Sequence, residues 1–532
     1  MRKIANYLFI FAFISIQECY AQQINGLYGI DTLAYGAAED FINDAVFNQN
    51  NELFVAGFLK RSPLNGGAVS EIGTLSRFDV QGSLVYSKST SFEEINSILR
   101  TPDGHLLLTG RGTGLLCNGV CKADFWVGEC DENGQFLWGR SFGNAINDGN
   151  DIGYAAALMS NGDRLVTGNY YHSTYNLKTI AVRLTPQGDT VWTKSFGMYT
   201  GQQCGYSVYV NNNDDIYIGG TTTVGGGLLL MKLSSNGQLS WAKTYVTPAG
   251  RVLKILKKSD VTLLLFGQAI NNNDYRVTIT NVDLNGALLW SKEYEVESSD
   301  HEQFFEDAFL TANDHIFLTG YFYDEVNYVT PGNKPFYMEL DNQGNVLWAK
   351  KYLSYYGEGR VIKEHPNNGI IWGGIHMQNA FTPFWSKQPE IWWMHMPENG
   401  TNDCFIPCNI NTFNSSALAA NKNFYSFAGY ISTDPLPSAV NYLTLKTLKC
   451  DSPLETDESI PNNFQICPNP NRGTFTVYSP YETIGEIQLI NELGQKYDVQ
   501  VDGNQINTMH LPPGVYFLNF ITYHQIQKII IY

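Results

Sequence analysis

Charge is scarce in this chain. Only 16% of its 532 residues are charged, and Asp and Glu outnumber Lys and Arg by 51 to 34. The net charge of −17 excludes the basic footprint that nucleic acid requires; it favours solubility and says little else. Beyond the N-terminus no apolar run approaches the ~20 residues needed to cross a bilayer, so no transmembrane segment is expected. Catalytic signatures are missing too. There is no Gly-x-Ser-x-Gly, no His-Glu-x-x-His, and no phosphate loop or dinucleotide fingerprint in a usable context. Gly110-Arg-Gly-Thr-Gly114 follows a strand pattern, but no helix follows it. No catalytic or metal-ligating set is assigned from the sequence.

What the chain does have is glycine, 49 residues, and aromatics, 14%, the composition of an exported all-β protein. It also has a repeat. Asp131-Glu-Asn-Gly-Gln-Phe-Leu-Trp-Gly-Arg-Ser-Phe142 recurs at 79–90, 185–196, 234–245, 283–294 and 341–352. The aligned glycines are Gly82, Gly134, Gly188, Gly237, Gly286 and Gly344, spaced by roughly fifty residues, the signature of stacked or radial units. Three positions earlier stand Asp79, Asp131, Thr185, Ser234, Asp283 and Asp341. Their side chains suit a tight hairpin turn that glycine closes at φ > 0. Four positions after glycine come Tyr86, Trp138, Trp192, Trp241, Trp290 and Trp348, and six positions after it a Lys or Arg. Even offsets put ring and cation on one strand face, with the cation along the ring, and blade-to-blade packing is the reading for these pairs. The residue before the ring (Val85, Leu137, Val191, Leu289, Leu347) is apolar in every copy but that of Ser240, so this strand is expected to be buried on both faces.

A second motif is a short apolar strand ending in glycine. It runs Leu53–Gly57, Leu106–Gly110, Leu165–Gly168, Ile216–Gly219, Leu263–Gly267, Ile316–Gly320, Ile370–Gly373 and Phe424–Gly429. Short strands with regular turn signals predict a β-propeller. Eight copies favour eight blades, with seven as the alternative because 381–416 is degenerate. The last repeat lacks its own Trp-bearing strand, and the N-terminal segment 25–36 is expected to supply it and close the ring.

Met1–Ala21 reads as a signal peptide, with Arg2 and Lys3, an apolar core at Leu8–Ile16 and small residues before the cut; a lipoprotein signal at Cys19 is the rival. Residues 22–450 then form the propeller, and 451–463 an acidic, Pro-containing linker. Eight further cysteines suggest disulfides in an exported chain, with Cys117/Cys121 and Cys404/Cys408 as local staples. Asn/Asp clusters at 147–151, 211–215 and 271–274 admit calcium, although turn chemistry accounts for them and no cofactor is otherwise expected. His105 and His315 occupy equivalent turn-flanking places with no evident charge partner.

Residues 464–532 carry a different pattern, alternating short strands that fit a small antiparallel, Ig-like β-sandwich. Here Cys467-Pro468-Asn469-Pro470, Gly473-Thr-Phe-Thr-Val477, the segment 487–495 with Gly494, Leu511-Pro-Pro-Gly514-Val-Tyr516-Phe517 and Lys528 resemble the type A C-terminal sorting domain of type IX secretion cargo from Bacteroidota. The resemblance implies passage across the outer membrane by the type IX machinery, then removal of the domain with release or surface attachment. The ending Ile529–Tyr532 departs from the basic ending of many members. The propeller repeats are also similar to those of other secreted proteins of that phylum. The expectation is an extracellular or outer-membrane-surface binding protein, with a glycan, peptide or protein as ligand. The alternatives are a polysaccharide hydrolase or lyase with its site in the funnel, and an adhesin without a small ligand.

Overall fold

The computed structural model describes residues 26–28, 38–396 apart from several connecting loops, short strands between 405 and 442, and most of 465–531. The segments expected to be a signal peptide (1–21) and a linker (451–463) lie outside the described residues. The chain divides into two compact units, Met1–Cys450 and Asp451–Tyr532.

In the first unit every repeat folds back and forth as an antiparallel sheet. The first blade is Ala38–Phe47, Leu53–Arg61, Ser70–Phe78 and Leu84–Ser89. The second is Glu94–Arg100, Leu106–Thr113, Ala123–Cys130 and Phe136–Phe142. The third, fourth, fifth and sixth open with Ile152–Leu158, Gln203–Val210, Ala249–Ser259 and Gln303–Leu310. The seventh is Tyr356–Glu364, Ile370–Met377 and Glu390–Met396, completed by Gly26–Tyr28 from the other end of the chain. Gly26 stands opposite Trp393 and Tyr28 opposite Ile391. Each blade packs on the next, and the seventh packs on the first. The apolar faces meet between blades: Ile42, Leu53 and Phe78 of the first share a core with Val361, Ile371 and Trp393 of the seventh. The unit is a closed β-propeller.

Its described residues make seven blades, not the favoured eight. The eighth apolar-Gly segment builds no sheet of its own. Tyr425–Ala428 pairs with the outermost strand of the third blade, Ala428 opposite Lys194. The N-terminal strand closes the ring as expected, but it completes the blade made by 356–396 rather than one made by 424–448.

The apolar-Gly motif has a steric cause. Each innermost strand carries a bulge, between Ile42 and Asp44, Ile95 and Ser97, and so on around the ring. The residue before the bulge stands opposite the motif glycine of the second strand. A Cβ on Gly57, Gly110, Gly168, Gly267 or Gly320 would lie 1.8–2.0 Å from a carbonyl oxygen of the bulged strand. In the fourth and seventh blades Gly220 and Gly374 hold this place, each one residue beyond the glycine that ends the sequence motif.

The two halves of the other repeat meet between blades. The turn glycines have φ of 71–83°, and the residue three before each accepts the glycine N–H, as Asp131 does from Gly134 at 2.9 Å. That turn lies on the aromatic ring of the preceding blade. A Cβ on Gly188 would sit 2.4 Å from Trp138, and one on Gly286 2.7 Å from Trp241. Trp138 Nε1 donates to Pro186 O at 3.1 Å, and Lys194 and Lys243 donate to Asn236 O and Asn285 O at 2.9 and 2.6 Å. The cations lie 5.0–5.8 Å from their ring centroids for Tyr86, Trp192, Trp241, Trp290 and Trp348. The motif is an inter-blade stitch.

The residue before the ring is not buried. Val85, Leu137, Val191, Leu289 and Leu347 are 45–52% exposed. Each is the extra residue of a bulge: Arg77 faces Tyr86 while Phe78 faces Leu84, leaving Val85 unpaired. The bulge breaks the simple alternation on which two-sided burial was inferred.

The second unit has two four-stranded antiparallel sheets around one core that includes Phe475, Val477, Leu489, Leu518, Phe520 and Ile529.

Candidate functional site: the axis and the long-loop end of the ring

The bulges that space the inner strands also set what surrounds the axis. The bulged residues are Asn43, Asn96, Tyr154, Tyr206, Leu253, Glu306 and Arg360, and several reach to the neighbouring blade. Asn43 Nδ2 donates to Ile95 O and Asn96 Nδ2 to Gly153 O, both at 2.9 Å. Tyr154 and Tyr206 meet edge-to-face at 4.9 Å.

Just beyond the bulged residues, an ion chain crosses the closure of the ring. Lys254 pairs with Asp307, Asp307 Oδ2 lies 3.1 Å from Lys363 Nζ, and Lys363 lies 2.9 Å from Asp44. Asp307 also accepts the Ile362 N–H, and Asp44 the Ile98 N–H, both at 3.1 Å. Four consecutive blades (fifth, sixth, seventh and first) are thereby linked. Burial pushes the Asp307 carboxyl up, but Lys254 and Lys363 outweigh it and hold it below the usual range; the two aspartates raise Lys363 against its own burial.

Towards the other end of the inner strands, two arginines are each held between two carboxylates. Arg111 pairs with Glu71 and, at 2.9 Å, with Glu94. Arg360 pairs with Glu306 at 3.3 Å and with Glu358. Burial raises Glu94 and Glu306 despite these partners. Part-exposed aromatics accompany them: Phe41 stacks on Phe58 at 4.5 Å, and Phe304 on Tyr321 at 4.7 Å and Tyr275 at 5.4 Å.

The two ends of the ring differ in their connections. At one end, first-to-second and third-to-fourth turns are tight, each closed by backbone hydrogen bonds. At the other, connections such as Arg61 to Ser70, Phe142 to Ile152 and Met377 to Glu390 are long. Asp151, 2% exposed, begins the third blade here; it accepts the Tyr171 N–H at 2.6 Å, and burial, with Asp124 nearby, pushes its carboxyl up to about 8. Lys178, fully buried, donates to Met198 O, Gly201 O and Gln203 Oε1. Burial among these neutral acceptors lowers it to about 8.

At the tight-turn end the histidines do have partners. His105 Nδ1 lies 2.8 Å from Glu129, and His315 Nδ1 2.6 Å from Glu339. Sequence spacing missed this because the glutamates lie one strand away. Other blades fill the same two places with Arg77–Glu52, Arg183–Asp163 and Lys232–Asp215, so the pair is a structural position of the repeat. Asp103, His105 and Glu129 converge closely enough to hold an ion. However, Arg164, 2% exposed, already grips both Glu129 oxygens at 2.8 and 2.9 Å, and its guanidinium stands where a cation would.

Of the calcium candidates, the 211–215 turn is satisfied by the protein. Asn211 Oδ1 accepts the N–H groups of Asn213 and Asp215, Asp214 accepts from Ser160, and Asp215 pairs with Lys232. The other two clusters fall mostly outside the described residues, as do Cys117, Cys121, Cys404 and Cys408. Cys130 and Cys204 are buried free thiols. In the C-terminal unit, Gly514 and Tyr516 lie on a strand opposite Ile531 and Ile529, Lys528 stands opposite Phe517, and Tyr516 OH donates to Pro512 O at 2.8 Å. Pro468, Asn469, Pro470, Gly473 and Gly494 lie outside the described residues.

Residues 465–532 match the family described as the secretion system C-terminal sorting domain. This unit is a type IX secretion sorting domain. The sorting domain implies export to the cell surface or extracellular space and an encounter with the secretion machinery. Among the described residues no helix is long and apolar enough to cross a membrane. No curated protein is similar enough in sequence to count as a relative. Among solved structures, a protein of unknown function from Dyadobacter fermentans is similar at 12% identity, with 70% of this chain and 98% of that one covered and a TM-score of 0.37. The plexin A4 extracellular region is similar at 8% identity over 94% of this chain and 67% of that one, TM-score 0.30. A tail fibre of Staphylococcus aureus phage P68 is similar at 8% identity over 70% and 96%, TM-score 0.22. Likenesses this distant carry no functional argument.

Proposed function

We propose that this protein is a surface-displayed or secreted recognition module whose ligand, a glycan, peptide or protein, is met by the long-loop end of the propeller. The observation that carries the reading is the asymmetry of the ring. From strand to strand within the blades and from each blade to the next, the long connections lie at one end, above a rigid stitched scaffold, which is where variable binding loops are expected. Part-exposed Phe41, Phe58, Tyr275, Phe304 and Tyr321 add flat apolar area beside fixed charges. A hydrolase or lyase in the funnel is less well supported. Glu94 and Glu306, the axial carboxylates among the aromatics, are held by Arg111 and Arg360, so they are poorly placed to trade protons with a substrate.

Glycan-array and extracellular-matrix binding by the exported protein tests the reading. Binding that weakens at least tenfold on Tyr321→Ala, with the melting temperature little changed, is the expected outcome. Reducing-sugar release from the same glycans would overturn it in favour of the enzyme. Deleting 464–532 is expected to leave the protein in the periplasm; normal appearance outside the cell would contradict the export route.

A further inference from the structure

After the seventh blade the described residues build no further one. The chain turns back and lays five short strands along the outside of the ring: Phe405–Pro407, Ile410–Asn414, Ala420–Asn421, Tyr425–Ala428 and Val440–Tyr442. They add, antiparallel, to the outermost strands of the sixth, fifth, fourth, third and first blades. The chain therefore retraces the ring in reverse order. The register repeats, and the added residues that end each pairing in the sixth to third blades stand seven positions apart. The last pairs are Lys350 with Pro407, Lys292 with Asn414, Lys243 with Asn421 and Lys194 with Ala428. In the first blade Lys88 faces Asn441, and pairing runs one residue further.

The ring decides where this pairing stops. Just beyond each lysine come the stitching aromatic and the bulged residue, where the outermost strand leaves a regular ladder. Above the lysine that strand offers a free edge of N–H and C=O groups, the kind that recruits extended chain.

We propose that the five strands described between 405 and 442 are a detachable girdle, a self-supplied occupant of a strand-addition surface on the propeller rim. The ring is complete without it. Gly26–Tyr28 closes the seventh blade, and the Lys254–Asp307–Lys363–Asp44 chain ties the closure. Each girdle strand makes only a few backbone hydrogen bonds, worth ~1 kcal/mol apiece, so it is weak alone. Joined on one chain, the five hold by high effective concentration. The girdle docks on the finished ring, shields five blade edges from pairing with other chains, and can lift from one blade while the ring stays folded.

Hydrogen exchange by mass spectrometry on the full chain tests this, with Thr412→Pro and Phe413→Pro as separate variants. Successive N–H groups of a strand face opposite sides, so one of the two prolines removes a ladder donor opposite the fifth blade. In the wild-type protein, amides in 410–414 are expected to exchange at least tenfold slower than in an unstructured peptide of the same sequence. In one proline variant, amides of Leu288–Val296 are expected to exchange at least tenfold faster. Amides of Phe136–Phe142, whose blade has no fifth strand among the described residues, are expected to be unchanged. Unprotected 410–414 in the wild type, or unchanged Leu288–Val296 in both variants, would overturn the girdle. Loss of protection at Phe136–Phe142 as well would overturn its being separable from the ring.

Discussion

Two glycines of one hairpin separate two reasons for keeping glycine. Gly162 has φ +84°, and a Cβ there would meet nothing closer than 3.9 Å, whereas Gly168 has an ordinary φ but its Cβ would lie 1.9 Å from Ile152 O. Gly162→Ala costs only the left-handed backbone of an L-residue, ~1–2 kcal/mol. Gly168→Ala must part a backbone ladder, since no flexible side chain is there to yield. Overpacking of this kind costs ~3 kcal/mol or more. For a unit of about 400 residues, ~1 kcal/mol moves the melting temperature by only ~1 °C, so local exchange is the better assay. Amides of Arg164–His172 are expected to open roughly tenfold more often in Gly162→Ala and at least a hundredfold more often in Gly168→Ala. If Gly168→Ala opened the blade no more than Gly162→Ala, the close approach at the inner bulge would not be the reason for the apolar-Gly motif.

The stitch predicts that Trp138→Phe loses one hydrogen bond, ~1 kcal/mol, and that Trp138→Ala loses 3–5 kcal/mol, about 4 °C, in thermal melts. Lys363→Met leaves Asp44 and Asp307 facing each other without their shared cation; a loss of ~3–5 kcal/mol in urea titration is expected, partly restored by adding Asp44→Asn. For Asp151, the folded carboxyl keeps its proton up to about 8 while the unfolded one releases it near 3.8. The native state therefore binds the extra proton between those values, and stability falls as pH rises through that window. Asp151→Asn should remove a loss of up to ~5 kcal/mol, seen as a variant-minus-wild-type difference that grows from pH 5 to pH 8. Thiol titration of unfolded, unreduced protein should find Cys130 and Cys204 free.

Much of the fold was legible because the turn and the ring of each motif copy are close in sequence, although the stitch they make joins neighbouring blades. Turn and ring sit within ten residues of each other, so their spacing showed a repeat, an all-β blade and an apolar-Gly strand. The eighth blade was misread for a physical reason: an edge-pairing strand has the same apolar, glycine-ended composition as a blade strand, and only its partner tells them apart. Exposed Val85 and Leu137 were misread because a bulge adds a residue without marking it in composition. The axial groups, Asp44, Glu94, Arg111, Lys254, Glu306, Asp307, Arg360 and Lys363, were not picked out at all. They vary from blade to blade, and most find a partner in the neighbouring blade.

The residues alone determined that this chain repeats a sheet about every fifty residues and ends in a sorting domain, since turn geometry, strand alternation and the tail motifs act within a few positions. Only the tertiary structure decided how many sheets close the ring, which charges face one another across it, and that the segment after the last blade runs backward around the rim. Those depend on pairings over tens to hundreds of residues, with hydrogen-bonding groups that every sequence supplies alike.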